Sequence, residues 1–329
     1  MTMVERVGEL PEQLRWGIDV PEPTVPRDRP IVLLGMGGSA LAASVGALAA
    51  RTPIVVHRGY GLPSWAAGSG ALVVAVSYSG NTEEVLSGVA EAIAAGLPLA
   101  AVTSGGEIAA EAERALFPCL LVPGGLPPRA AIGYQAAAVL RVLGGAGAVN
   151  GVSAQIEEAA AVLDELLGEG DGVAYALGGD LAAGLEGRLA VIYGGMGPGS
   201  LAAYRWKTQI NENAKMPAYS GEVPELNHNE LEGWGVLTEL ANRSMGLVLL
   251  RDRFDHPQVA RRLELTDEVL APKVAKVGAV HSLGEGPVAR FFSLAVVGDL
   301  ASILMTDATG VDPMPVELLE DFKVRLRRE

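Results

Sequence analysis

The chain has 329 residues, a length that fits two domains of ordinary size, and with 49% apolar and 19% charged residues it can bury substantial cores. A formal net charge of -14 excludes the basic surface that a nucleic-acid binder needs. It leaves room for an anionic small molecule held by a few local cations and backbone N–H groups. Only 5% of residues are aromatic while 42 are Gly, which favours closely packed helices over an aromatic binding surface. Cys119 is the only cysteine, in the context Phe117-Pro118-Cys119-Leu120-Leu121. It reads as a buried core thiol, with no intrachain disulfide, in a protein of the reducing cytoplasm. No basic segment followed by an apolar one opens the chain, and the apolar runs are Ala-rich and interrupted. No signal peptide and no membrane span are predicted.

The first strong signal is Ile31-Val32-Leu33-Leu34, followed by Gly35-Met36-Gly37-Gly38-Ser39 and an Ala-rich stretch. This order predicts a buried strand, a tight turn and a helix. The pattern recurs at Ile54-Val55-Val56, and again over 71–76, where the strand runs into Ser77-Tyr78-Ser79-Gly80-Asn81-Thr82 and a helix over about 83–95. Residues 99–102 and 120–122 add two more apolar runs. Strands alternating with helices predict an α/β chain of mainly parallel sheets flanked by helices, doubly wound and flavodoxin-like. The Gly- and Ala-rich stretch 144–151 divides two lobes, 1–150 and 151–329, with a helix over about 153–167 leading into the second. A weak internal repeat supports two similar lobes. Gly35-Met36-Gly37-Gly38-Ser39-Ala40-Leu41 resembles Gly195-Met196-Gly197-Pro198-Gly199-Ser200-Leu201, and each follows an apolar run.

The 77–82 turn follows a buried strand, carries two serines and a threonine, and opens a helix. The N–H groups at a helix start are unpaired and partly positive, so they favour anions. Hydroxyls beside them supply donors for phosphate oxygens. The plainer reading is N-capping by Asn81 or Thr82, with Glu83 and Glu84 meeting the helix dipole. The cluster as a whole favours phosphate. The 35–39 turn lacks the G-x-G-x-x-G spacing, because Ala40 stands at the third position, and no acidic residue ends the next strand. A nicotinamide site is therefore disfavoured, and this turn reads as a wall beside the phosphate.

Residues 205–234 collect the largest polar groups in an Ala- and Gly-rich chain. Arg205, Lys207, Asn211, Glu212, Asn213 and Lys215 come first, and Pro224-Glu225-Leu226-Asn227-His228-Asn229-Glu230 follows. For Lys207 and Lys215 a solvated helix face explains the pattern as well as a site does. Glu212 and His228, each flanked by Asn on both sides, read as oriented functional groups. His57, His256 and His281 read as structural, with His256 beside a helix start. The four histidines are widely spaced and show no metal-ligand pattern, so no metal is expected.

At these residues the sequence resembles the bifunctional phosphoglucose/phosphomannose isomerase family, within the sugar isomerase (SIS) fold. The matching stretches are the 35–39 and 77–84 turns, Pro127-Pro128-Arg129-Ala130-Ala131, the 205–215 segment, the 224–230 segment, Gly310-Val311-Asp312-Pro313 and Phe322-Lys323. The resemblance implies a chain of two SIS-type lobes, a hexose 6-phosphate substrate and no cofactor. It implies phosphate contacts from Gly38, Ser39, Ser77, Ser79 and Thr82. Glu212 would be the base that moves a proton between C2 and C1, and Arg129 the cation beside the enediol. His228 would help open the sugar ring, reaching into the site of a partner in a homodimer. Lys323 would lie near the ring oxygen. Two other readings remain open: a non-catalytic SIS module that senses a sugar phosphate, and an isomerase of another phosphosugar. Glu212, Arg129 and His228 together favour the enzyme, because a sensor needs none of them.

Overall fold

The computed structural model describes residues 1–236 and 238–326. The chain forms two compact units. The N-terminal unit comprises Gly8–Gly168 with Ser282–Ser293, and the C-terminal unit comprises Met1–Val7, Glu169–His281 and Leu294–Glu329.

In the N-terminal unit five strands, β1 (Ile31–Leu34), β2 (Ile54–His57), β3 (Leu72–Val76), β4 (Leu99–Thr103) and β5 (Cys119–Leu121), form one sheet in the order β2-β1-β3-β4-β5. Every pairing is parallel, with Ile31 opposite both Ile54 and Leu72. Parallel strands are covered on both faces, so they must be apolar throughout. All residues of β1, β3 and β4 are buried accordingly. The small residues of the flanking helices let backbones approach. A Cβ on Gly46 of the helix Gly37–Leu48 would lie 2.5 Å from Val139 of the helix Ile132–Gly145. Cys119 differs from the expectation of a core thiol: β5 is a sheet edge, and the side chain is only half-buried. Its burial still pushes the thiol pKa up, and Glu113 adds to the effect.

The C-terminal unit holds β6 (Leu189–Gly195), β7 (Ala218–Val223), β8 (Met245–Arg251) and β9 (Ala275–His281), again all parallel, in the order β7-β6-β8-β9. This repeats the order of β2-β1-β3-β4. The two Gly-Met-Gly turns that resemble each other in sequence therefore occupy the same topological place, after the first strand of each sheet. Val191, Tyr193, Val223, Leu247, Leu249 and Leu263 build the core on one face.

The units divide after Gly168 rather than near Gly151. The helix Val152–Leu167 buries Val152, Ile156, Ala159, Ala160 and Leu163, and it packs with the helix Leu10–Trp16 in the N-terminal unit. One stretch, Pro287–Thr309, has the length and hydropathy to cross a membrane, contrary to the sequence expectation, but 89% of that window is buried inside the protein. A core helix has this character.

Candidate active site

In an open parallel sheet of this order, ligands bind beyond the carboxyl ends of the strands where the winding reverses. In the N-terminal unit that point lies between β1 and β3, and the 35–39 and 77–82 turns meet there. Thr82 occupies the N-cap of the helix Glu83–Ala94, yet its side chain makes no capping hydrogen bond. Its hydroxyl pairs instead with that of Ser77, at 2.8 Å. The first N–H groups of this helix are thus left without a side-chain cap, at the place where an anion would gain most from them. Ser79 and Asn81 are exposed at the tip, with Asn81 N–H donating to the Ser79 hydroxyl at 3.3 Å. Asn81 is not a cap for this helix either: its Oδ1 accepts from Glu107 N–H, which ties the turn to the one after β4. Gly80 is at φ +68°, and a Cβ there would sit 1.8 Å from the Gly105 carbonyl oxygen. Only glycine fits.

The two turns are joined by Ser39. Its hydroxyl accepts from Tyr78 N–H at 3.1 Å and donates to Gln135 Oε1 at 2.7 Å. Gln135 in turn donates through Nε2 to the carbonyl oxygens of Pro128 and Ala131. Those residues flank the buried Arg129, which sits in the middle of the 3₁₀ turn Pro128–Ala130. A Cβ on Gly38 would lie 3.6 Å from the Arg129 Cα, so the glycine turn and the arginine turn lie in contact. Tyr78 adds a second tie: its hydroxyl donates to the Pro123 carbonyl and accepts from Leu126 N–H. Gly38, Ser39, Ser77, Ser79, Thr82 and Arg129 therefore belong to one locality.

In the C-terminal unit the helix Pro198–Gln209 continues into a π-helical turn, Ile210–Ala214, which carries Glu212. Such turns widen a helix locally and are frequent at functional sites. The flanking asparagines pin it. Asn213 Nδ2 donates to the Ser302 hydroxyl at 2.9 Å, and Asn211 Nδ2 donates to the Met216 carbonyl at 2.8 Å. Lys215 is not a bystander on a solvated face, since its ammonium donates to the carbonyl oxygens of Glu212, Pro313 and Pro315. Lys215 thereby holds the 310–316 segment against the backbone at Glu212. A groove of about 600 Å³ results, lined by Thr208, Asn211, Glu212, Lys215 and, from the other side, by Asp312 and Leu319. Beneath it, Arg205 donates to the fully buried carboxylate of Asp299, which also accepts from Gln209. Burial pushes the Asp299 carboxyl pKa up, while Arg205 and Gln209 draw it down.

His228 ends the 3₁₀ turn Glu225–His228 beyond β7, and it is exposed. Its asparagine neighbours anchor the loop: Asn227 Nδ2 donates to the Thr266 hydroxyl, and Asn229 Oδ1 caps the following helical turn. Glu212 precedes β7 and His228 follows it, so a strand of six residues, about 20 Å long at ~3.3 Å per residue, lies between them in the chain. Lys323 is exposed on the helix Glu317–Leu326, one turn beyond Leu319 and on the same face. Among the described residues, no three His, Cys, Asp or Glu side chains converge on a point.

The sequence reading missed Gln135 and Gln13 as supports. Gln13 reaches the same segment from the other side, donating to the Ala130 carbonyl and accepting from Gly133 N–H. Two long polar residues, Gln135 and Arg141, interrupt the apolar helix Ile132–Gly145, and that was the available signal for Gln135.

The family model of the bacterial phospho-glucose isomerase C-terminal SIS domain matches residues 176–326. A bifunctional phosphoglucose/phosphomannose isomerase of Caldicellulosiruptor bescii is 35% identical, over 98% of this chain and 98% of its own. The enzyme of the same description from Thermoplasma acidophilum is 34% identical, over 90% of this chain and 89% of its own. Among solved structures, a hypothetical protein from Thermus thermophilus superimposes with a TM-score of 0.71 at 18% identity, covering 99% of this chain and 90% of that one, a likeness of fold. Two parallel α/β lobes of SIS type, and relatives this similar over nearly the whole length, make the chain a member of the bifunctional phosphoglucose/phosphomannose isomerase family.

Proposed function

We propose that this protein interconverts glucose 6-phosphate, and mannose 6-phosphate, with fructose 6-phosphate through an enediol. The observation that carries this reading is Glu212, a carboxylate on a π turn pinned by Asn211 and Asn213 and facing a groove. In this reading the 77–82 turn, with Gly38 and Ser39 beside it, takes the phosphate and so positions the reacting carbons. Glu212 removes the C1 proton of the open-chain ketose and returns a proton to C2, an effect of ~10²–10⁴-fold for such transfer. Arg129 stabilises the negative charge that develops on the enediolate oxygen. An enediol is planar at C2, so the glucose and mannose products differ only in the face that receives the proton.

His228 is assigned to ring opening in the site of a second copy, and the protein to a homodimer. The placement of Glu212 ahead of β7 and of His228 behind it is compatible with this division. Lys323 is assigned to the ring oxygen, on the strength of the face it shares with Leu319. The reaction is assigned to the cytoplasm, within glycolysis and gluconeogenesis, a reading that the single cysteine and the nature of the substrates support.

A coupled assay with fructose 6-phosphate, comparing wild type with Glu212→Gln, tests the reading. Conversion by wild type and its loss in the variant are expected; equal rates would sink the mechanism. Mixing inactive Glu212→Gln with inactive His228→Ala should restore activity if the site is shared between copies. A monomeric, active protein would refute the sharing.

A further inference from the structure

We infer that Gln135 is a positioning residue that couples the phosphate turn to Arg129, an inference that rests on the isomerase reading above. Gln135 is buried and lies in a helix whose neighbouring side chains are almost all aliphatic. A buried amide must have its hydrogen bonds satisfied or it costs stability. Here each end of the amide has a partner, and the two ends serve different parts of the site. The oxygen accepts from Ser39, whose hydroxyl simultaneously takes Tyr78 N–H from the 77–82 turn. The nitrogen donates to the Pro128 and Ala131 carbonyls, on either side of Arg129 in sequence. Tyr78 backbone, Ser39 hydroxyl, Gln135 amide and Pro128 carbonyl thus form one unbroken chain of hydrogen bonds within the N-terminal unit.

Pro127 and Pro128 have no N–H to contribute, and Gln13 holds the far end, at Ala130 and Gly133. The Gln135 link sets where the Pro128–Ala130 turn stands relative to the glycine turn, and so where the Arg129 backbone stands relative to a phosphate bound at 77–82. A guanidinium misplaced by about 1 Å stabilises a developing oxyanion poorly, with losses of order 10²-fold. The Gln135 amide is not itself among the groups assigned to the phosphate.

The test is a double-variant cycle of Gln135→Met and Arg129→Ala, with folded protein confirmed by circular dichroism. In the wild-type background, Gln135→Met should lower kcat for fructose 6-phosphate by ~10–100-fold and leave KM within ~3-fold. In the Arg129→Ala background the same change should cost less than about 2-fold, because the group it positions is gone. A purely structural role would lower Tm while leaving kcat per folded molecule unchanged, and that result would overturn the proposal. So would equal losses in the two backgrounds.

Binding gives a readout independent of turnover. A five-carbon aldonate 5-phosphate carries a carboxylate in place of the enediolate, and calorimetry should show the same cycle for it, with inorganic phosphate unaffected. A wild type that converts no hexose phosphate but shows this cycle in binding would sink the isomerase reading and support the coupling. An active wild type with additive losses would sink the coupling alone.

Discussion

The two sheets reverse their winding in the same way, and so each builds the same crevice, yet only one of them is left open to an anion. Between β1 and β3 the helix Glu83–Ala94 begins at Thr82 without a side-chain cap, and hydroxyls line its start. Between β6 and β8 the corresponding helix, Pro257–Leu270, begins with a proline that has no N–H, and its next free N–H, at Gln258, is taken by Nδ1 of His256. Asp252 and Asp255 stand in that turn with Arg253 between them. Asp255 accepts from Asp252 N–H and lies so close to Gly195 that a Cβ there would come within 2.2 Å of it. Side chains of the turn itself thus occupy the second crevice. Topology therefore sets where a ligand can sit, while capping decides whether anything is left there to bind it. The C-terminal unit places its distinctive side chains elsewhere, Glu212 ahead of β7 and His228 behind it.

This contrast can be broken by substitution. The largest effect should come from the side chain assigned to chemistry outside either crevice: Glu212→Gln should lower kcat by ~10²–10⁴-fold with little change in KM. Steady-state kinetics on fructose 6-phosphate measure both, and a comparable rise in KM would show that Glu212 also binds. Next, Thr82→Asp should turn the first crevice into a copy of the second, with a carboxylate capping the open helix. KM should rise by ~10–100-fold, the worth of a charged hydrogen bond. Tm should hold or increase, since a cap of this kind stabilises by ~0.3–1 kcal/mol. A fall in both affinity and Tm would mean that the threonine is structural. The smallest effect belongs to His256→Ala. Losing that cap should cost about 1 kcal/mol in denaturant unfolding, with KM unchanged. A raised KM would show that the second crevice also touches the substrate.

Much of this contrast is legible in the residues, but unevenly. β1 and β3 announce themselves because a strand covered on both faces must be apolar at every position. β7 does not, because it is a sheet edge whose Tyr219, Ser220 and Glu222 are exposed or partly so, and the segment reads as part of a polar cluster. The 77–82 turn is readable as a phosphate site or as a set of caps. What leaves the Thr82 cap unmade is a torsion, its hydroxyl facing Ser77 rather than its own helix, and no sequence pattern encodes it. Asn211 and Asn213 are recognisable as supports of Glu212, but their partners at Met216 and Ser302 become visible only when the chain is folded. Lys215 reads as solvated for the same reason. Its partners, Pro313 and Pro315, lie about a hundred residues away in the chain.

The claim that one crevice binds phosphate and its twin does not can be measured directly. Titrating glucose 6-phosphate, and separately inorganic phosphate, into isotopically labelled protein should shift the backbone amide resonances of Ser79 to Val85. The amides of Asp252 to Gln258 should stay in place. Saturable shifts confined to the second set, or equal in both, would contradict the account.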